Sequence, residues 1–404
     1  MIEDFFNSLL SFPCYWIVDK IEHDSGTDDV FIYVRFDTKE YKKKHPGLYH
    51  GLHDYNSYRT WRHLDILQYK TYIKAQLPRI KDANGNIKTL KPYWGGLTSR
   101  ITHLFEKKVI DTLLATKNQT KTSGLLRCSF SLVNRIIHQS TQRGLQRRNK
   151  NIIYKQLSID EKSFKKGLNY VTVLSNPETG YIVDVSEGRT KTSCKELIDS
   201  NLSTGQKKQV EQVSVDMWEA FIYSVKELLP KSKIVHDRFH LIQYLNKAVD
   251  LVRRREVKTH QELKNSRYAL LKNQFNLTIK QHFKFEEVIN LNTKVSLAWR
   301  LKESFKSLFG TTDYQEAHSR LSDWLDFCNW ENIPEVSKVA KMFTRHIVGV
   351  CNALVETLSN AMAERLNGKI QEIKTIGRGY RTFQNFRSAI LFFNGGLILY
   401  PQET

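Results

Sequence analysis

The chain has 404 residues, 40% of them hydrophobic, and carries 62 Lys plus Arg against 42 Asp plus Glu, a formal charge of +20 at pH 7. That length exceeds one ordinary core and predicts two or three domains, while the charge predicts a polyanionic partner, nucleic acid first. Five scattered cysteines without a CxxC pair argue against a disulfide framework and a thiolate zinc site, and fit a reducing cytosol; no apolar run approaches ~18 residues and no leader is recognisable, so neither a membrane span nor a signal peptide is expected.

Residues 1–95 read as a β-rich region. "VFIYVRF" at 30–36, "WRHLD" and "YKTYIKAQLPRI" carry strand signal, and Asn84-Gly85 in "KDANGN" is a hairpin-type turn. His45, His50, His53 and His63 have no thiolates beside them and read as scattered surface histidines. From 96 to 150 the period becomes helical. "SGLLR" reads as a short helix, and Ser131 as the N-cap of a second helix bearing Leu132, Val133, Ile136 and Ile137. This is helix-turn-helix spacing. Between Thr112 and Ile159 there is no Asp or Glu, whereas Arg127, Arg135, Arg143, Arg147 and Arg148 are all basic. A purely positive face fits phosphate contact, with the second helix in a major groove. A helical hairpin with a solvated basic face is the plainer reading.

Residues 151–244 change period again. Three β-branched runs, "LSIDEKSF", "NYVTVLS" and "GYIVDVSEG", read as consecutive antiparallel strands. "TSCKELIDSNL" is a helix, "EQVSVDM" a fourth strand, "WEAFIYSVKELLP" a helix and "KIVHD" a fifth strand. The order βββαβαβ is similar to the ribonuclease-H-like fold, a mixed sheet flanked by helices. Residues 245–349 are almost wholly helical and basic, which reads as an α-helical insertion. The tract 350–404 would complete the core. Within it, 351–375 reads as one amphipathic helix with Leu354, Leu358, Leu366, Ile370 and Ile373 on its buried stripe. The fold class expected is therefore multidomain α/β: a ribonuclease-H-like mixed-sheet core interrupted by a large helical insertion, preceded by a β-rich region and a helix-turn-helix.

Carboxylates carry the chemistry that this order suggests. Asp160 lies in the middle of the first strand, and Asp216 follows "VSV" at the end of the fourth. Those strands would be neighbours, so two like charges would share a cleft and need compensation. Oxygen ligands with room for water suit Mg2+ or Mn2+. A third acid would come from the last helix. Glu364 is the candidate, with Glu356 weaker. Asn360, Glu364, Asn367 and Gln371 share one polar face, which ordinary solvent exposure explains equally. Asp237 and His240 stand three apart where "KIVHD" meets "LIQYLN".

The blocks "LSIDEKSFKKGLNYVTVLSNPETGYIVDVSEGRT", "DMWEAFIYSVKELLPKSKIVHDRFHLIQYLNKAVDLVRR" and "SNAMAERLNGKIQEIKTIGRGYRTFQNFRSAILFF" resemble the ISL-three group of bacterial insertion-sequence transposases. The resemblance implies a DDE transposase that binds the ends of its element and catalyses metal-dependent strand cleavage and strand transfer, with two divalent ions. It implies Asp160 as the first acid and Glu364 as the last. The middle acid is Asp216 or Asp237, with Asp216 favoured, because "DRFH" matches a separate (Cys/Asp)-x-x-His motif of related enzymes. His240 would then orient a carboxylate or contact DNA. Arg378 and Arg381 in "GRGYR" are candidates for phosphate contact. The expected partners are double-stranded DNA, both element ends and target, and further copies of the chain, since two ends must meet. The expected location is the bacterial cytoplasm at the nucleoid. One departure stands out: "KDANGN" replaces the paired cysteines of many relatives, so the N-terminal zinc segment would be degenerate. The alternatives are a DNA-binding regulator or a metal-dependent nuclease on the same fold, without strand transfer.

Overall fold

The computed structural model describes residues 2–165, 167, 169–291, 293–356 and 360–401, without the side chains of 360–364. It is mixed α/β and divides into two compact units, Met1–Arg148 with Leu397–Thr404, and Asn149–Gly396.

The N-terminal unit opens with α1 (Ile2–Leu10), β1 (Trp16–Asp24), β2 (Asp29–Phe36) and α2 (Thr38–Lys44). The strands β3 (Leu52–Tyr55), β4 (Arg59–Arg62), β5 (Lys70–Ala75), β6 (Pro78–Lys81) and β7 (Ile87–Thr89) follow. They form a four-stranded sheet ordered β1-β2-β5-β4 and a three-stranded sheet ordered β3-β6-β7. Strict alternation in β2 turns Val30, Ile32, Val34 and Phe36 inward. Trp16 and Trp61 both meet the Trp94 ring edge-on, at 4.9 Å and 5.6 Å between centroids. Asn84-Gly85 does make the expected turn between β6 and β7: Gly85 donates its N–H to the Asp82 carbonyl at 3.0 Å, with φ at +78°. His63 departs from the surface reading. It is buried, with Nδ1 3.0 Å from the Thr102 hydroxyl.

Three helices complete this unit: α3 (His103–Thr116), α4 (Gln119–Leu125) and α5 (Phe130–Arg147). Ser129, not Ser131, caps α5. It has extended backbone angles and accepts the Leu132 N–H at 3.2 Å, so Ser131 falls within the first turn.

The second unit holds β8 (Gln156–Ser163), β9 (Tyr170–Asn176), β10 (Tyr181–Glu187), α6 (Lys191–Asn201), α7 (Thr204–Gln209), β11 (Gln212–Val215), α8 (Glu219–Leu228) and β12 (Lys233–His236). The strand order is β10-β9-β8-β11-β12. β8, β9 and β10 pair antiparallel, while β8, β11 and β12 run parallel. Where one helix was expected before β11 there are two. Each starts from its own capping box, Thr190 with Ser193 and Ser203 with Gln206. Leu157, Ile159, Val213 and Val215 bury one sheet face against Leu197, Ile198, Phe221 and Val225.

Helices α9 (Arg238–Glu256), α10 (Arg267–Leu271), α11 (Ile279–Ile289), α12 (Lys294–Lys306), α13 (Tyr314–Glu331), α14 (Pro334–Arg345) and α15 (Ile347–Val355) share a separate apolar core. α15 lies against β12. A Cβ on Gly349 would come within 2.6 Å of the His236 ring, so this approach requires glycine. Two helices, α16 (Asn360–Ile376) and α17 (Phe383–Asn394), end the unit. The single helix expected over 351–375 is thus divided between α15 and α16. The apolar period continues on both sides, so spacing alone cannot reveal the division. Leu354, Leu366, Ile370 and Ile373 are buried as expected, and Leu358 lies outside the described residues. α17 is fastened to β10 by Arg387, whose Nε and Nη2 donate to the two oxygens of buried Asp184 at 2.7 Å and 2.8 Å.

Candidate functional site

Parallel pairing decides where the acids go. Val215 is in register with Ile159 on one side and with His236 on the other. The residues that follow Ile159, Val215 and His236 are Asp160, Asp216 and Asp237. Adjacent strands are ~4.8 Å apart, so three carboxylates stand in a row across three parallel strands, Asp160 within β8 and Asp216 and Asp237 just past the ends of β11 and β12, with Asp216 in the middle. Ligand sites on open α/β sheets form at such an edge.

Each carboxylate is anchored differently. Asp160 accepts the Glu161 N–H at 2.7 Å and pairs with Lys162 Nζ at 2.7 Å. Asp216 accepts the Met217 N–H at 2.6 Å, and the Tyr244 hydroxyl donates toward both of its oxygens at 3.4 Å. Asp237 caps α9 by accepting the Phe239 N–H at 2.8 Å. His240, one turn on, is held between the first two acids. Its Nε2 is 3.8 Å from Asp160 and its Nδ1 is 3.7 Å from Asp216. Tyr244 is a further four residues along and shares that helix face.

Burial and charge act against each other here. The Asp160, Asp216 and His240 side chains are 17%, 18% and 19% exposed. Burial alone would raise Asp160, but His240 and Lys162 outweigh it and hold the carboxyl at about 2. Burial alone would lower His240, yet the three aspartates push it up to about 9. Asp237 is raised, chiefly by burial, with Asp160 and Asp216 adding to the effect. Tyr244 is pushed up to about 12 by burial and by Asp216, which keeps its hydroxyl a donor.

The sequence reading missed Lys162 and Tyr244. The signal for Tyr244 was its place four residues beyond His240 and seven beyond Asp237. It also missed an aromatic bracket beside the acids. Arg189 lies 4.2 Å from the Tyr170 ring and 4.9 Å from the Trp218 ring, and reaches Glu161 at 3.2 Å.

Glu364 falls in α16, and its side chain is outside the described residues. α16 is tethered near β8, since Lys374 Nζ donates to the Ser163 carbonyl at 2.8 Å. Among the described residues, no three His, Cys, Asp or Glu side chains are drawn up tightly enough to hold a metal ion. The candidate DNA-contacting arginines divide into two groups. Arg135, Arg378 and Arg381 are exposed. Arg127 bonds Asp65 and donates to the Gln68 carbonyl at 2.7 Å. Arg143 is paired with Glu106 and donates to the Leu399 carbonyl at 2.5 Å, while Arg147 donates to the Tyr400 carbonyl at 2.6 Å. Arg148 ends the N-terminal unit.

Comparison with known proteins gives consistent findings. Residues 157–390 match the family model of ISL3-type DDE transposases, described as "Transposase". The transposase for insertion sequence element IS1557 of Mycobacterium tuberculosis is 25% identical over 354 residues, covering 81% of this chain and 79% of that protein. The transposase for insertion sequence element IS1001 of Bordetella parapertussis is 24% identical over 238 residues, covering 57% and 58%. Among solved structures, the Drosophila P element transposase strand transfer complex covers 72% of this chain and 92% of its own, at 11% identity and a TM-score of 0.37, a likeness too loose to establish a shared fold.

Proposed function

The chain belongs to the ISL3 family of DDE transposases, and on that premise we propose that Asp160, Asp216 and Glu364 are the acids with which this DNA transposase cuts its element's ends and joins them to a target. The observation that carries the assignment is the register of β8 and β11, which sets Asp160 and Asp216 side by side. Asp216 is preferred to Asp237 because it is the central acid of the row, whereas Asp237 is committed to capping α9. The strand order β10-β9-β8-β11-β12 supports a ribonuclease-H-like core, with α9 to α15 as its helical insertion. The short α4 and the basic α5 support a helix-turn-helix, and the 1–95 region, with Cys14 as its single cysteine, supports a degenerate zinc segment.

Enzymes of this class work with divalent metal ions, and two Mg2+ or Mn2+ ions are proposed here. The donor chemistry suits them, since carboxylate oxygens are ligands for a hard cation and Asp160 and Asp216 stand on either side of His240. When bound, such ions supply Lewis-acid polarisation of the phosphate and an activated nucleophile. The protein's own residues do the rest. Main-chain N–H groups fix Asp160 and Asp216, and Tyr244 keeps Asp216 facing its partner. His240 and Lys162 hold positive charge beside the acids. No covalent enzyme intermediate is needed, since water and then a DNA 3′-hydroxyl serve as nucleophiles. Bringing two ends together implies at least a dimer on DNA, working at the bacterial nucleoid.

The test is strand cleavage on labelled element ends in Mg2+. Asp160→Asn should abolish cleavage and leave end binding intact; full cleavage by this variant defeats the assignment. Asp216→Ala and Asp237→Ala, compared as folded proteins, decide the middle acid. If only the second loses metal-dependent cleavage, Asp237 holds that role. Transfer of labelled ends into a target plasmid separates a transposase from a nuclease.

A further inference from the structure

Next to β12 lies a cavity of about 590 Å3 whose lining reaches His236 but includes none of the three acids. Its wall combines two chemistries. Ile222, Ile234, Tyr314, Ile347 and Val348 are apolar or aromatic, whereas Lys226, Lys233, Arg345 and His346 are basic. The side chains come from α8, β12, α13, α14 and the start of α15, so this is a built recess between elements and not one helix end.

The basic groups are unevenly satisfied. Lys233 Nζ stands 3.6 Å from Glu356, and His346 Nε2 stands 3.6 Å from Glu219. Among the described residues, Lys226 and Arg345 have no ion-pair partner. Both are exposed at the rim. Both line the same cavity, Lys226 from α8 and Arg345 from the end of α14. Two free cations thus flank a mouth whose wall is apolar. Tyr314, 39% exposed, also lines a second cavity of about 400 Å3, so the recess includes an aromatic residue on which a flat group can stack.

Few ligands combine an apolar plate with a compact anion. A lone phosphate would leave the apolar wall unused, and an apolar ligand would leave Lys226 and Arg345 unused. One nucleotide uses both, and the volume lies within the ordinary range for a small-ligand pocket. Base stacking on an aromatic ring with cations on the adjoining phosphate is how unpaired strands are held without sequence readout.

We propose that this cavity takes a single nucleotide, its base against Tyr314, Val348 and Ile347 and its phosphate on Lys226 and Arg345. The nucleotide could come from an unpaired stretch of the DNA being processed or from a free nucleoside monophosphate. None of the three acids lines this cavity, so its occupancy can be read without metal.

The full-length protein would be titrated with three fluorescent probes without added metal: a duplex with a four-nucleotide single-stranded overhang, the same duplex blunt, and a deoxynucleoside monophosphate. Two variants target the two halves of the recess, Lys226→Glu/Arg345→Glu and Val348→Trp. The substituted side chains are exposed, and circular dichroism would verify folding. The expected result is at least tenfold weaker binding of the overhang duplex, the monophosphate or both in each variant, with blunt-duplex affinity changed less than threefold by Val348→Trp. Loss on the overhang alone identifies the DNA strand as the source. Loss on the monophosphate identifies a free nucleotide. If neither probe responds to Val348→Trp, or if blunt and overhang duplexes weaken equally in both variants, the cavity is not a nucleotide site. Because binding is read without cleavage, failure here leaves the assignment of the acids standing.

Discussion

Residue by residue, the acidic row depends on contacts the carboxylates cannot supply for themselves. Tyr244→Phe removes one hydroxyl and leaves the ring, so Asp216 loses its side-chain donor while α9 stays intact. A hydrogen bond to a charged group is worth about 1.5–3 kcal/mol, so cleavage should fall by roughly ten- to a hundredfold, with duplex binding unchanged. A gel assay of cleavage against Mg2+ concentration would measure it, and wild-type rates in the variant would remove Tyr244 from the site. A second prediction concerns His63. Burial, with Arg62 adding to it, holds this imidazole down to about 4. Its unfolded value is about 6.5. Between those limits the unfolded chain binds the proton and the folded chain does not, so stability falls as pH drops from about 6.5 to about 4 and then levels. The loss should reach up to about 3 kcal/mol. Urea unfolding followed by tryptophan fluorescence at pH 7, 5.5 and 4.5 would detect it, with His63→Gln showing a flatter profile.

At the scale of elements, the legibility of the sequence had a clear pattern. β8 to β12 announce themselves because β-branched runs separated by turn residues leave little alternative. The side-by-side pairing of Asp160 and Asp216 followed from strand adjacency. What stayed hidden was whatever depends on a single capping geometry or on contacts distant in sequence. Ser129 and Ser131 are both competent caps, and only the backbone angles at 129 choose between them. Lys162 sits two residues from Asp160 in an ordinary strand, where alternation alone puts both on the same face without indicating a pair. The separation of α15 from α16 was invisible because one apolar period spans both. Arg387 read only as part of a helical block near the C-terminus, yet it neutralises Asp184 inside the unit, with Asn201 donating to the same carboxylate at 3.1 Å. Arg387→Ala leaves that buried charge uncompensated and should cost about 3–5 kcal/mol. Chemical denaturation would show this as a lower midpoint, and Arg387→Ala/Asp184→Asn should recover part of the loss.

For the molecule as a whole, the +20 charge is the term that should dominate affinity for duplex DNA. Neutralising phosphates releases counterions, so affinity should drop by about 10³–10⁵ between 50 and 200 mM salt if 6–10 phosphates are contacted. Not every arginine contributes alike. Arg135 is exposed on α5, and Arg135→Ala should reduce the salt slope by about 1 without affecting folding. Arg143 is already engaged by Glu106 and the Leu399 carbonyl, so Arg143→Ala should lower the melting temperature instead. Fluorescence anisotropy across a salt series, paired with thermal melts, separates the two. A shared loss of slope in both variants would mean that Arg143 turns outward onto DNA.

One tie has a wider meaning. Arg238, the first residue of α9, donates to the carbonyls of Ala353 and Glu356 at 2.7 Å and 2.6 Å, which lie at the far end of the stretch α9 begins. The excursion through residues 239–352 therefore departs and returns through a single stitched neck, one residue past the last acid of the row. A loop closed at its neck can lengthen, shrink or be exchanged for another without moving the ends that frame it. The first turns of α9 must stay with the acids, because His240 and Tyr244 hold them, while the helices beyond are free to change at a different speed.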